Sequence, residues 1–344
     1  MSEGVFNLVQ FGRQAAVATG TAASTIFPVD AGFLGFELDR ASESPDEDFG
    51  STSREYAGRE STGVRWVTAS LPFVARYQDL VHALEMHVDT IGTPSGTAGG
   101  TSTWPYTFDE SGDLLSTALK PYTVEYGVDG STQDEWEAVG VIANELELGF
   151  DALSAPGNSM WRGTLGLVGL TRSPAAMTGS LTAPATLETI EGHLTTFAEG
   201  ATSTAFASLS AVTGTLKQFS FRSNLNAVGR AYGGSSDTAT GIGRSGKGEV
   251  EFDALIGINS TTDTNILDIF EVAGSVVTER RWRIEASGSG VNKLTIDFRC
   301  RFRAVNVGEH ENERLYAVNG VWVYDSTLVG RGKILVTNAV TTIP

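Results

Sequence analysis

Short segments of alternating apolar and polar residues recur along the chain, and turn residues separate them. Residues 216–222 (LKQFSFR), 248–258 (GEVEFDALIGI) and 281–286 (RWRIEA) are examples. Side chains along a strand point alternately to opposite faces of a sheet, so a period of two is typical of half-buried β-strands. The pattern therefore predicts an all-β fold built of antiparallel strands.

Two segments have helical spacing instead. Apolar residues of the first half fall on one helical face at Tyr77, Leu80, Val81, Leu84 and Val88. Residues 265–273 of the second half have similar apolar spacing, at Ile266, Ile269, Phe270 and Ala273. We therefore expect one flanking α-helix in each half.

The predicted elements of the first half recur in the same order in the second. A strand, a long polar loop, another strand and a helix begin at residue 33 in the first half and at residue 216 in the second. The loops, 39–63 and 223–247, each span 25 residues. A repeated order of elements indicates duplication. We predict two tandem, related β-sandwich or barrel-like domains, at 1–171 and 216–344, joined at 172–215 by a connector with some β structure.

Charge narrows the possible functions. The 344 residues include 41 Asp and Glu against 24 Lys and Arg, a net charge of −17. This balance argues against a broad basic surface for nucleic acid. Residues 1–171 carry 24 acidic and 8 basic side chains, whereas 172–344 carry 17 and 16. Copies placed side by side can therefore set unlike halves against each other with reduced repulsion.

Three motifs resemble chemical sites but lack necessary residues. The segment 241–248 approaches a phosphate-binding loop, yet Gly248 stands where that loop needs Ser or Thr, and a strand pattern follows. His82 and His87 are five residues apart, whereas a helical zinc motif needs four; we expect them at the surface or half-buried. The acidic run 46–48 lacks the later ligands of a calcium loop. We predict no catalytic, cofactor-binding or metal-binding residues, and a protein that is not an enzyme.

A row of arginines is the strongest charge pattern. Arg299, Arg301 and Arg303 alternate along one predicted strand, so their side chains share a face. Such a row is unfavourable unless it meets acids or phosphates. Two partners stay open: an acidic strand of the same chain, such as the row of Glu145 and Glu147, or an acidic surface on another copy.

Four segments resemble stretches of the tail tube (major tail) proteins of long-tailed bacteriophages, in the duplicated-domain form. They are 9–21 (VQFGRQAAVATGT), 141–151 (VIANELELGFD), 213–221 (TGTLKQFSF) and 334–340 (ILVTNAV). Each is a β pattern rather than a catalytic signature. The resemblance covers most of the chain in order.

The resemblance implies a structural virion protein that forms stacked rings, through which the genome leaves the capsid. A doubled member would form trimeric rings with pseudo-sixfold symmetry. The implied partners are further copies of the chain and other tail proteins: the tape measure, the tail terminator, and the baseplate or tip. Double-stranded DNA would pass through without specific binding, and no cofactor or membrane is expected. The N-terminus has no basic segment followed by an apolar one, which fits assembly in the host cytoplasm and residence in the virion tail.

The predicted contacts fall into two sets. Contacts between rings are expected in the long loops, at Asp39, Asp46, Glu47, Asp48, Arg54, Arg59, Arg230, Arg244 and Lys247. Contacts between subunits are expected at Arg299, Arg301, Arg303, Glu145 and Glu147. Two other classes of function stay open: a β-sandwich module that binds carbohydrate or a receptor, and an acid/base hydrolase. Filament formation at raised concentration separates the tail tube from both.

Overall fold

The computed structural model describes most of the chain, in segments. The described residues are 8–15, 19–30, 33–43, 61–88, 90–91, 95–97, 101–108, 120–128, 134–153, 159–181, 187–212, 216–230, 239–244, 248–259, 262, 266, 279–310 and 313–340.

Of the described residues, 65% lie in strands and 7% are helical, so the predicted all-β fold is confirmed. Strands β1 to β11 span Leu8–Arg13, Thr25–Phe27, Glu37–Glu43, Ser61–Val74, Thr90–Ile91, Ser95–Thr97, Thr101–Phe108, Tyr122–Gly127, Trp136–Asp151, Arg162–Gly169 and Thr171–Pro174. Strands β12 to β21 span Thr195–Ala201, Ser210–Ala211, Leu216–Asn224, Ala227–Arg230, Gly241–Arg244, Glu249–Gly257, Glu279–Ser287, Lys293–His310, Glu313–Val323 and Gly332–Asn338. Helix α1 spans Leu80–His87, and short 3-10 turns occupy Gly192–Leu194 and Phe206–Ser208.

Eight antiparallel strands form a continuous sheet that crosses both halves of the chain. Their order is β3, β4, β10, β9, β14, β17, β20 and β19, and we call this set the eight-strand sheet. Its centre is the pairing of β9 from the first half with β14 from the second. A second contact between the halves is the pairing of β21 with β7. The halves therefore share backbone hydrogen bonds rather than side-chain contacts alone.

The strands of the two halves pair in the same pattern. Long strand β9 is flanked by β8, β10 and β11, and long strand β19 is flanked by β18, β20 and β21. Each long strand has a β-bulge where it pairs with the next strand: the extra residue is Asn144 in β9 and Arg303 in β19. Residues of β9 and β19 that stand at the same distance from their bulge can therefore be compared as corresponding positions. The domain boundaries predicted from the sequence stay predictions.

A single apolar core underlies the eight-strand sheet. It includes residues of both halves, among them Leu148, Phe219, Phe252 and Phe298, each at most 4% exposed. All eight residues of α1 are buried, and the helix packs against β9. A smaller apolar cluster of Ile142, Leu170, Ala227, Ala239 and Ile242 lies under the hairpin β15–β16.

Element boundaries differ from the prediction at several points. The strand expected from residue 33 begins at Glu37, and residues 39–43 and 61–63 of the expected loop are strand. The second loop, 223–247, contains β15 and β16. The physical reason is that polar residues at a sheet edge pair through their backbones whatever their side chains. The expected second helix lies outside the described residues except for Ile266, which is buried.

The predicted connector is attached to both halves. It contains β11, β12, β13 and the two 3-10 turns, and β12 pairs with β18 along its whole length. Glu188 accepts hydrogen bonds from the Ser289 hydroxyl and from the Asn292 amide, at 2.6 Å each. Its backbone carbonyl accepts the Tyr77 amide at 3.1 Å. The segment thus joins β18 and β19 to the first half.

Candidate functional site: a strand junction and two open sheet edges

The predicted arginine row has partners within the chain, and they differ from the pair named from the sequence. Arg299 and Arg301 both form ion pairs with Glu279 of β18, the latter at 2.8 Å. Arg303 forms ion pairs with Glu249 and Glu251 of β17, the latter at 2.5 Å. The partners therefore come from the adjacent strand and from the strand beyond β20, both in the second half.

Glu145 and Glu147 have a different cationic neighbour. Glu145 forms an ion pair with Arg222 of β14, and Glu147 lies directly opposite Arg222 in the strand register. These two carboxylates raise the pKa of Arg222, Glu145 most strongly through its hydrogen bond. The candidates thus belong to two groups: Glu145 and Glu147 at the junction of β9 with β14, and the arginines at the outer strand β19.

One row of side chains crosses the solvent face of the sheet with alternating charge. The register places Glu147, Arg222, Glu251, Val321, Arg301 and Glu279 opposite one another in succession. Opposite charges on neighbouring strands attract, although exposed pairs contribute little to stability. The row sets the charge pattern of this face rather than holding the sheet together.

The junction between β9 and β14 is stabilised from below by a buried histidine. Nδ1 of His87 lies 2.9 Å from the carbonyl oxygen of Ala143 in β9, and Nε2 lies 2.7 Å from the hydroxyl of Ser223 in β14. A carbonyl oxygen only accepts, so Nδ1 donates to Ala143, and Nε2 shares a hydrogen bond with the Ser223 hydroxyl. Helix α1 therefore bonds to both strands of the junction.

Both helix histidines are buried, which corrects the expectation of surface or half-buried positions. His82 is 5% exposed and His87 is 0% exposed. The reason is that α1 lies between the eight-strand sheet and other strands, so it has no solvent face. Burial, aided by the charge of Arg13, lowers the pKa of His82 to about 4.

A buried carboxylate lies next to His82. Glu85 accepts a hydrogen bond from the Tyr122 hydroxyl at 2.5 Å and forms a 2.5 Å ion pair with Arg13. Burial and the charge of Glu85 raise the pKa of Tyr122 well above its usual range. The cluster joins β1, α1 and β8, and its polar atoms bind one another. We read it as a structural network.

The outer strands of the eight-strand sheet each have one open edge. Among the described strands, β3 has the single neighbour β4, and β19 beyond Phe302 has the single neighbour β20. The unpaired edge of a strand presents N–H and C=O groups that can accept another strand. Among the described strands, the sheet therefore ends in two edges, one contributed by each half.

Counting from the bulges relates these edges to the internal junction. Leu146 and Leu148 follow Asn144 by two and four residues, as Val305 and Val307 follow Arg303. The same count extends across the neighbouring strands. The residue after the first bulge lies in register, through β10, with Ser70 of β4, and the residue after the second lies in register, through β20, with Asp253 of β17. Thr68 precedes Ser70 by two residues and lies opposite Glu37 of β3. Glu251 precedes Asp253 by two residues and lies opposite Arg222 of β14. Glu37 of β3 therefore corresponds to Arg222 of β14, and Leu38 corresponds to Ser223.

Corresponding positions differ sharply in exposure. Leu148 and Ser223 are 0% and 3% exposed at the internal junction, whereas Val307 and Leu38 are 49% and 54% exposed at the open edges. Leu38 lies on one open edge and Val307 on the other, so each edge carries one exposed apolar side chain. Val307 and Leu38 are therefore exposed at positions whose counterparts, Leu148 and Ser223, are buried at the internal junction.

A pair of glycines repeats the contrast. A Cβ added at Gly149 would lie 2.5 Å from the carbonyl oxygen of Phe219 and 2.6 Å from Cβ of Ser220, because β14 approaches closely. Gly308 is five residues beyond its bulge, as Gly149 is, and a Cβ added there meets nothing within 4 Å. Glycine within a strand is costly, so it often marks a close approach of another backbone.

Of the remaining sequence candidates, one lies on the open edge of β3, and the others lie elsewhere or outside the described residues. Asp39 is exposed on β3, Arg230 lies on β15, and the backbone of Arg244 lies on β16. Asp46, Glu47, Asp48, Arg54, Arg59 and Lys247 lie outside the described residues. The described candidates do not form one cluster, since β3 is at an edge of the sheet and β15–β16 is a separate hairpin.

Sequence reasoning missed several residues of the open edges. Glu37, Leu38 and Val307 were not singled out, because a strand pattern alone does not tell an edge from a centre. The spacing of Gly149 and Gly308 behind Asn144 and Arg303 was a usable signal only once the bulges were known. Within the described ranges, no group of three or more His, Cys, Asp or Glu side chains is arranged to hold a metal ion.

In the part of the chain that the structure describes, no helix combines the length and the apolar character that crossing a membrane requires. No protein-family model matches the chain, and no curated protein matches it.

Proposed function

We propose that this chain is a structural virion protein, the subunit of a bacteriophage tail tube, which polymerises into stacked rings that conduct the genome. The observation that carries the proposal is the eight-strand sheet: it contains one junction between unlike halves and ends in two edges that match the strands of that junction. The sequence resemblance to duplicated tail tube proteins adds independent support.

Ring formation follows from repeating the internal junction between copies. Strand β3 corresponds to β14, and the outer part of β19 corresponds to β9. Placing β3 of one copy beside β19 of the next makes a second junction of the same kind, in which Leu38 lies opposite Val305. Each copy uses both of its edges, so the contact is heterologous, and it closes into a ring when the rotation between copies divides a full turn. Three copies supply six halves, which gives the pseudo-sixfold ring implied by the resemblance.

Edge pairing removes the exposed apolar groups described above. Leu38 and Val307 become covered, as Ser223 and Leu148 are at the internal junction. Burial of about half of a valine or leucine side chain contributes roughly 1 kcal/mol, and the new backbone ladder adds its hydrogen bonds. Ring closure is thereby favoured over a free subunit that leaves two strand edges in water.

The solvent face of the eight-strand sheet suits the lining of a DNA conduit. The described acidic residues of this face outnumber its arginines. Glu37, Asp39, Glu145, Glu147, Asp151, Glu249, Glu251 and Asp253 stand against Arg162, Arg222, Arg299, Arg301 and Arg303. A face with net negative charge repels phosphate groups, so DNA would slide past without being held. In this proposal the sheet lines the bore, and the long loops contact the rings above and below.

Further partners follow from the same proposal. The ends of a finite tube must be covered by other tail proteins, namely the tape measure within, the terminator at one end and the baseplate or tip at the other. The protein would then be assembled in the host cytoplasm and reside in the virion tail. No catalytic step is required of it.

The test is assembly of the purified full chain. Negative-stain electron microscopy across a concentration series is expected to show hollow tubes of uniform width. A matched pair of variants locates the interface: Val307→Lys places a charge on the open edge, whereas Val291→Lys places it at the exposed β18–β19 turn, where Val291 is 51% exposed. Tubes are expected to form with the second variant and not with the first.

Two outcomes contradict the proposal. One is a monodisperse monomer at every concentration, especially one that binds glycans, since that favours the carbohydrate-binding module. The other is normal tubes from Val307→Lys, which would exclude β19 as the interface. Circular dichroism of each variant confirms that the subunit is folded.

A further inference from the structure

The two junctions carry opposite charge orders, and this point rests on the proposed function. At the internal junction, β9 contributes the acid, Glu145, and β14 contributes the base, Arg222. At the open edges, β3 presents Glu37 and Asp39, both exposed, while β19 presents Arg303, whose side chain is 49% exposed. Glu37 of β3 thus has the opposite charge to its counterpart Arg222 in β14. Strand β19 carries Arg303 where β9 has Asn144, and the uncharged Ala304 and Asn306 where β9 has Glu145 and Glu147.

We infer that the acidic edge of β3 is the docking site for the Arg303 edge of β19 in a second copy, and that the reversed charge order keeps the outer junction distinct from the internal one. The register of the internal junction, applied to the edges, places Asp39 opposite Ala304, next to Arg303, and Glu37 opposite Asn306. Both carboxylates then lie on the face where Arg303 already meets Glu249 and Glu251. The guanidinium group has donors enough for a further carboxylate.

The reversal matters because the strands are otherwise interchangeable. If halves were exchanged between copies, β14 of one copy would lie against β19 of another. Arg222 would then lie opposite Asn306, diagonal to Arg303 on the same face. In the same exchange β3 would lie against β9, and Glu37 would face Glu145 and Glu147. Like charges in such positions disfavour the wrong pairing while leaving both correct pairings attractive. Exchange of identical elements is a common error in chains built of similar units.

The experiment uses charge reversal of each edge in the full-length chain. Arg303→Glu and Glu37→Arg are each expected to raise the critical concentration for tube formation about tenfold or more, because each sets like charges together. The double variant restores the attraction with inverted signs and is expected to recover to within about threefold of the unaltered protein. Lys293→Glu is the control: it makes the same change of charge as Arg303→Glu, on the part of β19 that pairs with β18 and β21.

A mixture of the two single variants gives a sharper readout. Each contact between unlike variants is attractive, and each contact between like variants is repulsive. A ring of three copies cannot alternate two kinds perfectly, so one repulsive contact remains and the mixture recovers less than the double variant. Full recovery in the mixture would support the charge pairing and overturn the ring of three.

The failures are distinguishable. If the unaltered protein forms no tubes at any concentration, the proposed function fails and this inference fails with it. If the unaltered protein forms tubes and both folded single variants do so at the same concentration, only the charge pairing is overturned. Since Arg303→Glu also places a carboxylate beside Glu249 and Glu251, Glu37→Arg provides the reading that does not depend on that internal repulsion.

Discussion

The internal junction and the open edges are two versions of one arrangement, and they differ in what covers them. At the junction, β14 lies on β9, His87 bonds to both strands, and Leu148 is fully buried. At the edges, Val307 and Leu38 are half exposed and one side of each strand has no described neighbour. The comparison shows that two residues can hold corresponding positions relative to a bulge and still differ in burial, because burial depends on whether another strand lies next to them.

The largest expected effect comes from truncating corresponding apolar residues. Leu148→Ala removes a fully buried side chain and is expected to lower the free energy of unfolding by about 2–5 kcal/mol. Val307→Ala is expected to change it by less than about 0.5 kcal/mol, because the side chain is half exposed. Urea unfolding of the dilute, unassembled subunit measures both. Equal losses at the two positions would mean that Val307 is already packed in the free chain.

The glycine pair sharpens the comparison with a smaller change. Gly149→Ala adds a Cβ that meets the backbone of β14, so we expect a loss of about 1–3 kcal/mol of stability. Gly308→Ala adds a Cβ in open space and removes flexibility from the unfolded chain, so the subunit is expected to gain up to about 1 kcal/mol. Thermal unfolding measures both changes. A gain in subunit stability together with weaker tube formation would show that the open space is filled on assembly.

A pH measurement separates the stability of the subunit from the behaviour of the edges. Burial raises the pKa of Asp79 from 3.8 to about 6, and Asp79 lies just before α1, away from both edges. The folded form therefore keeps a proton that the unfolded form loses, and the contribution of Asp79 to stability falls as the pH rises from 3.8 through 6. Asp79→Asn is expected to be more stable than the unaltered protein at pH 7, on the order of 1–3 kcal/mol, and equal to it at pH 3.

The variant and the unaltered protein must be compared at each pH, because His82 titrates with the opposite sign. Its pKa is lowered to about 4, so its contribution is lost as the pH falls from 6.5 through 4. The difference between the two proteins cancels this effect. A difference that does not vary with pH would contradict the assigned role of Asp79.

The smallest expected effect concerns the exposed charges. Arg222→Gln breaks the ion pair with Glu145, but the arginine side chain is 59% exposed, so we expect at most about 1 kcal/mol of lost stability, decreasing with added salt. Arg303→Gln is expected to have an equally small effect on the free subunit and a larger one on tube formation. Salt titrations of unfolding and of assembly compare the two; a large, salt-independent loss for Arg222→Gln would contradict this view of the row.

The sequence predicted the class of fold well and the site poorly. Period-two segments such as 216–222 were recognisable because half-buried strands alternate whatever their neighbours, and the spacing of Leu80, Val81 and Leu84 placed α1 correctly. The expected strand start at residue 33 was wrong by four residues, because apolar residues before Glu37 pack as irregular chain around Tyr126. The local pattern of apolar residues does not show at which residue backbone pairing begins.

The partners of charged residues were harder still. The arginine row was visible in the sequence, but its carboxylates come from Glu249, Glu251 and Glu279, which register alone brings near. Register depends on the bulge at Arg303, and nothing in the alternation of residues 294–305 marks that position. That Glu145 and Glu147 lie at the junction of β9 with β14, apart from the arginine row of β19, became visible only once the strand order was known.

The matching bulges have a geometric consequence for the proposed tube. A β-bulge bends its strand and increases the local twist, and Asn144 and Arg303 place one at corresponding points of β9 and β19. In the proposed ring, each outer junction would begin from the same local bend as the internal one. The circumference of such a cylinder would then depend on where one additional residue stands in each long strand.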